Sequence, residues 1–189
     1  MLLQIVIAST RPGRIGAVIG EWFTGVAKEH GGFDVEVTDL KTLDLPFHDE
    51  PGHPMSGKYE HQHTKDWSAT VARSDAFVFV LPEYNHGFSA PLKNAIDFLH
   101  REWAYKPVGF VSYGGVAGGT RAVQGLKEVV TTLRMTPVTE GVVLPMVRGL
   151  LDDEGFHPTE PISQSATAVL DELAKVAPAL ATIRGGAER

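Results

Sequence analysis

The chain has 189 residues, of which 43% are hydrophobic, so it is long enough to bury a core and suits one domain spanning residues 1–189. Its 17 basic and 23 acidic residues give a formal charge of −6 with no long block of either sign, and we expect no nucleic-acid partner. Cysteine is absent, which excludes disulfides, thiolate metal sites and a cysteine nucleophile. Any redox chemistry therefore requires a bound cofactor.

The N-terminal segment does not resemble a targeting sequence. Its apolar run LLQIVIA has the length of a strand and is followed at once by STRPGR, unlike a secretory signal. No stretch reaches the roughly 18 uninterrupted apolar residues of a membrane span. We therefore expect a soluble cytoplasmic protein without a membrane partner.

Five short apolar runs rich in β-branched residues predict β-strands. In chain order they are LQIVIA, FDVEVTDL, AFVFVL, VGFVSY and TEGVVLP. Between the first two, apolar residues from Ile15 to Val26 repeat every three or four positions, which predicts an amphipathic helix. Gly31 and Gly32 are expected to end it.

Helical patterns also follow the later strands. Apolar spacing predicts helices over 92–99 and 123–133, and a weaker pattern near Trp67 predicts one before the third strand. A closing helix is predicted over 163–183, where Pro178 either kinks the helix or lies in its last turns.

Strands and helices thus alternate, and runs such as FVFVL are apolar at every position, which is typical of strands covered on both faces. We predict an α/β doubly wound sandwich with a five-stranded parallel sheet and helices on both faces. In such a sheet the ligand crevice lies at the carboxyl ends of the strands. The loops that follow strands one, three and four are ASTRPGRIG, LPEYNHGF and SYGGVAGGTR, and we expect them to form one pocket.

Each of these loops has its own chemistry. The first offers hydroxyl and guanidinium groups ahead of a helix start, which suits a phosphate, although its spacing is neither G-x-G-x-x-G nor a P-loop. In the second, Pro82 ends the strand, Tyr84 offers a flat wall, and Asn85 can donate and accept hydrogen bonds to a heterocycle. The third has four glycines within six residues, which lets the backbone approach a flat ligand. The alternatives are a tight turn with solvated arginines, a capped loop and a flexible turn.

Together, these loops resemble the NADPH-dependent FMN reductase family, a flavodoxin-like group that includes quinone, azo-dye and chromate reductases. The matching pieces are IASTRPGRIG, PEYNHGFSAPLKNAIDFL and SYGGVAGGTRAVQGL, within residues 1–145. The resemblance implies a flavodoxin-like fold, FMN as cofactor, NADPH or NADH as electron donor, and a small-molecule electron acceptor. It also implies a homodimer or homotetramer.

The resemblance assigns roles to residues position by position. It implies that the FMN phosphate is held by the side chains of Ser9, Arg11 and Arg14 and by the main chain at Ile15 and Gly16. It implies that the isoalloxazine ring lies against Pro82, Glu83, Tyr84 and Asn85. It implies that the pyrimidine side of the ring lies along Gly114, Gly115, Gly118 and Gly119, with Ser112 adding a hydroxyl. His86 and Phe88 are expected to shape what stacks on the exposed flavin face.

The reaction implied is ping-pong: NAD(P)H passes hydride to FMN and leaves, and a quinone, azo compound, chromate or flavin then takes the electrons. No side chain is expected to act as a catalytic nucleophile. One alternative is a flavodoxin-type one-electron carrier, although strong acidity is lacking and the first loop has two arginines. Another is a flavin-bound redox sensor or interaction module.

Three features of the sequence allow more than one interpretation. Residues 46–64 predict a long surface loop, whose histidines allow a zinc site as an alternative to a solvated loop. Trp103 and Tyr105 are either exposed aromatics at a subunit contact or ordinary packing at a helix end. The preference between NADPH and NADH depends on where four arginines lie: Arg73, Arg101, Arg121 and Arg148.

Overall fold

The structure, a computed structural model, describes residues 1–187, so residues 188–189 of the predicted domain lie outside the described part. Five strands form one parallel sheet: β1 Leu2–Ile7, β2 Asp34–Asp39, β3 Ala76–Pro82, β4 Pro107–Tyr113 and β5 Thr136–Leu144. Their order across the sheet is β2-β1-β3-β4-β5, which is that of flavodoxin-like doubly wound folds. The predicted fold class is confirmed.

Helices cover both faces of the sheet. Within residues 1–187 the α-helices are α1 Gly16–His30, α2 Leu40–Leu43, α3 Gln62–Arg73, α4 Ala90–Asp97, α5 Thr120–Thr132 and α6 Glu160–Ala187. Helices α1 and α6 pack on one face, and α3, α4 and α5 pack on the other. Because side chains alternate along a strand, Phe77 and Phe79 face the second layer while Val78 and Val80 face the first. Both β3 and β4 are buried along their whole length, as expected for central strands.

Trp103 belongs to the core, so its interpretation as an exposed aromatic is wrong. The residue is 1% exposed, and its ring centroid lies 5.1 Å from that of Phe77 and 5.9 Å from that of Trp67. Its indole N–H donates to the carbonyl oxygen of Ile96 at 3.1 Å, which satisfies the one polar group that burial would otherwise leave unpaired. Tyr105 is half-buried.

Several boundaries differ from those predicted. The closing helix α6 is longer than 163–183 and contains Pro178 in its interior. The predicted loop 46–64 holds a 3-10 turn at Pro54–Ser56, and its last residues already belong to α3. After β5, a short hairpin that the sequence patterns did not predict is formed by β6 Leu151–Asp152 and β7 Gly155–Phe156.

Membrane-spanning helices and metal-binding clusters are both absent from the described part of the chain. Among residues 1–187, no helix is both long enough and apolar enough to cross a bilayer. In the same part of the chain, no group of three or more His, Cys, Asp or Glu side chains is arranged to hold a metal ion. Within the histidine-rich loop, His63 pairs with Asp49 at 2.9 Å and stacks on His61.

Candidate functional site

A cleft of about 380 Å³ opens at the carboxyl edge of the sheet. Nine of the residues singled out in the sequence line it: Ser9, Arg11, Arg14, Ile15, Pro82, Glu83, Tyr84, Gly114 and Gly115. The loops after β1, β3 and β4 therefore meet, as the topology predicts. A cleft of this size in this position is suited to a small organic ligand.

The β1 end of the cleft has the features of an anion site. Helix α1 begins there, and its N-cap residue Ile15 provides no side-chain hydrogen bond, so the first N–H groups of the helix are left without a side-chain cap. Arg11 is exposed and forms no ion pair with any residue from 1 to 187. A Cβ at Gly16 would collide with the hydroxyl of Tyr113, which shows how closely the main chain approaches that group.

Tyr113 is a site residue that the sequence patterns did not reveal. It is 5% exposed, it lines the cleft, and its hydroxyl has no hydrogen-bond partner within residues 1–187. Burial raises the pKa of this hydroxyl above its ordinary value and outweighs the opposite effect of the nearby Ser9 side chain, so the group is a protonated donor at neutral pH. Buried polar groups are normally paired, and an unpaired one beside an uncapped helix start and Arg11 fits a phosphate oxygen.

Arg14 has a different environment from Arg11. Its guanidinium forms a two-pronged ion pair with the carboxylate of Asp39, at the end of β2, and also donates to the carbonyl oxygen of Ser9 at 2.6 Å. The hydrogen bonds from Arg14 hold the pKa of Asp39 below its usual value. Arg14 thus ties the loop after β1 to the neighbouring strand, and much of its charge is already compensated.

Residues 84 to 87 form a tight hairpin turn at the cleft. Tyr84 and Gly87 exchange two backbone hydrogen bonds of 2.9 Å, and the central residues Asn85 and His86 have φ values of 49° and 69°. Positive φ at both central positions is the geometry of a type I′ turn. Asn85 is exposed and does not line the cleft. The hydroxyl of Tyr84 lies 3.0 Å from the Oγ of Ser9, and this contact holds the tyrosine ring as a wall of the cleft.

Glu83 caps a helix as well as lining the cleft. Its carboxylate accepts hydrogen bonds from the side chain of Arg121 at 2.9 Å and from the N–H groups of Arg121 and Ala122, at the start of α5. Burial alone would raise the pKa of Glu83, but these hydrogen bonds outweigh it and the pKa lies below its usual value. The negative charge of Glu83 is therefore compensated by Arg121 and by the start of α5.

The glycine loop divides into two parts with different roles. Gly114 and Gly115 line the cleft, whereas Gly118 and Gly119 lie behind it with φ values of 59° and 91°. A Cβ at Gly119 would lie 2.6 Å from the Cβ of Ser112 and 2.8 Å from a backbone nitrogen. Ser112 is itself buried and donates to the carbonyl oxygen of Gly118 at 2.9 Å. The second glycine pair and Ser112 therefore shape the loop without lining this cleft.

The cleft is also lined by a fourth segment, which was not singled out in the sequence. It is the turn after β5, which contributes Met146, Val147, Arg148 and Gly149. The N–H of Met146 donates to the carbonyl oxygen of Gly115 at 2.8 Å, so this turn is joined to the glycine loop. The signal available in the sequence was position alone, because the turn directly follows a predicted strand of the same sheet.

Comparisons with known proteins agree with this geometry. The profile of the NADPH-dependent FMN reductase family matches residues 1–147. An NAD(P)H-dependent FMN reductase of Schizosaccharomyces pombe is 41% identical over 157 residues, which are 79% of this chain and 78% of the relative. A probable NADPH:quinone oxidoreductase of Oryza sativa subsp. japonica is 45% identical over 131 residues, covering 65% of this chain and 60% of its own.

Among solved structures, FerB, a flavoenzyme NAD(P)H:(acceptor) oxidoreductase from Paracoccus denitrificans, is similar in fold. The TM-score is 0.72 at 18% sequence identity, and the match covers 94% of this chain and 97% of FerB. The family resemblance expected from the three loops is confirmed. The chain belongs to the NADPH-dependent FMN reductase family and is an oxidoreductase that uses FMN and NAD(P)H.

Proposed function

We propose that the cleft at the carboxyl edge holds FMN, with its phosphate at the start of α1 and its ring between Tyr84 and the Gly114–Gly115 segment. The observation that carries this placement is the unpaired buried hydroxyl of Tyr113 beside an uncapped helix start and Arg11. Those groups are hydrogen-bond donors and a positive charge, which complement the acceptor oxygens and the negative charge of a phosphate monoester. When bound, FMN supplies the capacity to accept hydride from NAD(P)H and to pass electrons to a second substrate.

The other walls suit the ring of a flavin. Tyr84 is 40% exposed and presents a flat face to the cleft. The N–H of Gly114 donates a hydrogen bond to the carbonyl oxygen of Leu144, but the N–H of Gly115 has no acceptor within residues 1–187. A free backbone donor at this edge would stabilise negative charge that develops on the ring. Glu83 does not oppose this charge, because Arg121 and the start of α5 compensate it.

The acceptor we propose is a small molecule that takes the place of the nicotinamide: a quinone, an azo compound, chromate or a flavin. Because donor and acceptor would both enter the cleft beside the flavin, we expect them to occupy it one after the other, which is a ping-pong mechanism. No side chain of the lining needs to act as a nucleophile, because the lining offers position, a phosphate anchor and hydrogen-bond donors.

We also propose that the protein works in the cytoplasm as a homodimer or homotetramer. Large apolar side chains are exposed in the segment after α2 and in the loops after β4 and β5, with Phe47 86%, Val116 85% and Met146 64% exposed. Exposed apolar groups of this size are typical of contact surfaces. The absence of cysteine is compatible with a reducing compartment.

Initial-rate kinetics test the ping-pong proposal. The rate is measured with NADPH varied at several fixed concentrations of a water-soluble quinone. We expect double-reciprocal lines that stay parallel, because the donor leaves before the acceptor enters. Intersecting lines would show that both substrates occupy the enzyme together and would contradict the proposal.

Removing the Tyr113 hydroxyl has two expected effects of opposite sign. Tyr113→Phe should raise the free energy of unfolding of the FMN-free protein by about 1 kcal/mol, because it removes an unpaired buried polar group. The same change should raise the Kd for FMN by about tenfold, because the phosphate loses a donor. Thermal unfolding without FMN and fluorescence titration with FMN measure the two effects.

Tyr84→Phe is the matched control for stability. It removes a tyrosine hydroxyl that is paired, with Ser9 at 3.0 Å, and should lower the free energy of unfolding by about 1 kcal/mol. If Tyr113→Phe lowered stability as well, the hydroxyl of Tyr113 would have a partner inside the protein and the phosphate assignment would lose its main support.

A further inference from the structure

The turn after β5 is held in place by packing on both of its sides. Val147 is 4% exposed within the core, and its N–H donates to the carbonyl oxygen of Gly114 at 3.2 Å. Downstream, the ring of Phe156 in the β6–β7 hairpin packs on Trp22 of α1 with 5.0 Å between centroids. The turn Val147–Leu150 therefore has a defined position relative to the cleft before any ligand enters.

Arg148 in this turn is a cation without a counter-charge. It is exposed and lines the cleft. The arginines that form ion pairs within residues 1–187 are Arg14, Arg73, Arg121 and Arg184. The one acidic side chain in the cleft lining, Glu83, is paired with Arg121. The cleft thus presents two arginines, Arg11 and Arg148, that no carboxylate of the described residues neutralises.

The strands that precede these two arginines lie on opposite sides of the cleft. Arg11 follows β1 and Arg148 follows β5, and the strand order places β3 and β4 between them. Three inter-strand steps correspond to roughly 14 Å at the spacing of a β-sheet. A phosphate at the start of α1 therefore lies at the β1 end, and FMN has no second phosphate for the β5 end.

We propose that Arg148 binds the 2′-phosphate of NADPH and so makes the enzyme prefer NADPH over NADH. The inference rests on the proposed function, since it requires the dinucleotide to enter the cleft beside the flavin. A guanidinium forms paired, charge-assisted hydrogen bonds with a phosphate, whereas NADH offers a neutral hydroxyl at the same position. Arg121 is held by Glu83, Arg73 pairs with Glu36, and Arg101 lines a different cavity.

Binding and kinetics on the FMN-loaded protein test the proposal together. Calorimetry measures the Kd of 2′,5′-ADP and of 5′-AMP, and steady-state rates measure the KM of NADPH and of NADH. We expect Arg148→Gln to raise the values for 2′,5′-ADP and NADPH by about tenfold to a hundredfold, while those for 5′-AMP and NADH change little. The Kd of 2′,5′-ADP and the KM of NADPH for Arg148→Lys should lie between those of Arg148→Gln and the wild type. Lysine keeps the charge but cannot form the paired hydrogen bonds.

Arg73→Gln is the control for net charge, because it removes the same charge from an ion pair outside the cleft. It should leave all four values unchanged. If Arg148→Gln weakened the binding of 2′,5′-ADP and 5′-AMP equally, or weakened neither, the role of Arg148 would be overturned. If neither donor reduced the flavin of the wild type, the proposed function would fail, and the 2′,5′-ADP comparison would still decide whether Arg148 recognises the phosphate.

Discussion

Replacing Arg11 with glutamine should raise the Kd for FMN by about tenfold to a hundredfold and leave the Kd for riboflavin nearly unchanged. The reason is that Arg11 is the cation at the start of α1 that no described carboxylate compensates, and riboflavin lacks the phosphate it would bind. Quenching of flavin fluorescence measures both constants with one protein preparation. The ratio of the two constants is the informative quantity, because it cancels any general effect on the cleft.

Arg73→Gln is again the matched control, since Arg73 pairs with Glu36 outside the cleft. It should leave both constants as in the wild type. Equal weakening of FMN and riboflavin by Arg11→Gln would mean that Arg11 supports the ring or the loop, and the phosphate would have to be placed elsewhere. Because charges at a helix start are screened by salt, the effect of Arg11→Gln should shrink as ionic strength rises.

Gly119→Ala should cause a large loss of stability in the glycine loop after β4. Gly119 has φ of 91°, and its new Cβ would lie 2.6 Å from the Cβ of Ser112 and 2.8 Å from the backbone nitrogen of Tyr113. Left-handed backbone strain and overpacking together should lower the free energy of unfolding by about 3 kcal/mol. For a chain of this length the expected fall in Tm is about 6–12 °C, measured by thermal denaturation without FMN.

Gly115→Ala is the control within the same loop. A Cβ at Gly115 would have no atom within 4 Å, and Gly115 is not among the glycines with positive φ. Its Tm should therefore stay close to that of the wild type. A similar Tm for both variants would show that Gly119 can relax, and that the second glycine pair is not required for packing.

The sequence was sufficient to place the five strands and the loops at their ends. Strand-length apolar runs and alternating helical patterns determine a doubly wound sheet, and such a sheet brings the loops after β1, β3 and β4 to one edge. The burial of Trp103 was not determined, because it depends on Trp67 and Phe77, which lie far away in sequence. Local pattern alone leaves an aromatic near a helix end equally compatible with either environment.

Within the site, the residues that the sequence did not assign depend on pairing across the sheet. Tyr113 lies in a strand that is buried along its whole length, so no alternation of polar and apolar residues indicates where its hydroxyl lies. Arg14 meets Asp39 because β2 is the neighbour of β1, a pairing between positions 25 residues apart. Arg148 becomes relevant to the cleft because the turn after β5 is bonded to the glycine loop.

The central claim is that this cleft accepts hydride from NAD(P)H onto bound FMN, and an anaerobic titration tests it most directly. The FMN-reconstituted protein is titrated with NADPH, and in parallel with NADH, while the visible absorbance of the flavin is followed. We predict that an equimolar amount of NADPH removes the absorbance in one two-electron step. Unchanged absorbance with both donors, together with stepwise one-electron reduction by a chemical reductant, would contradict the account and favour an electron carrier.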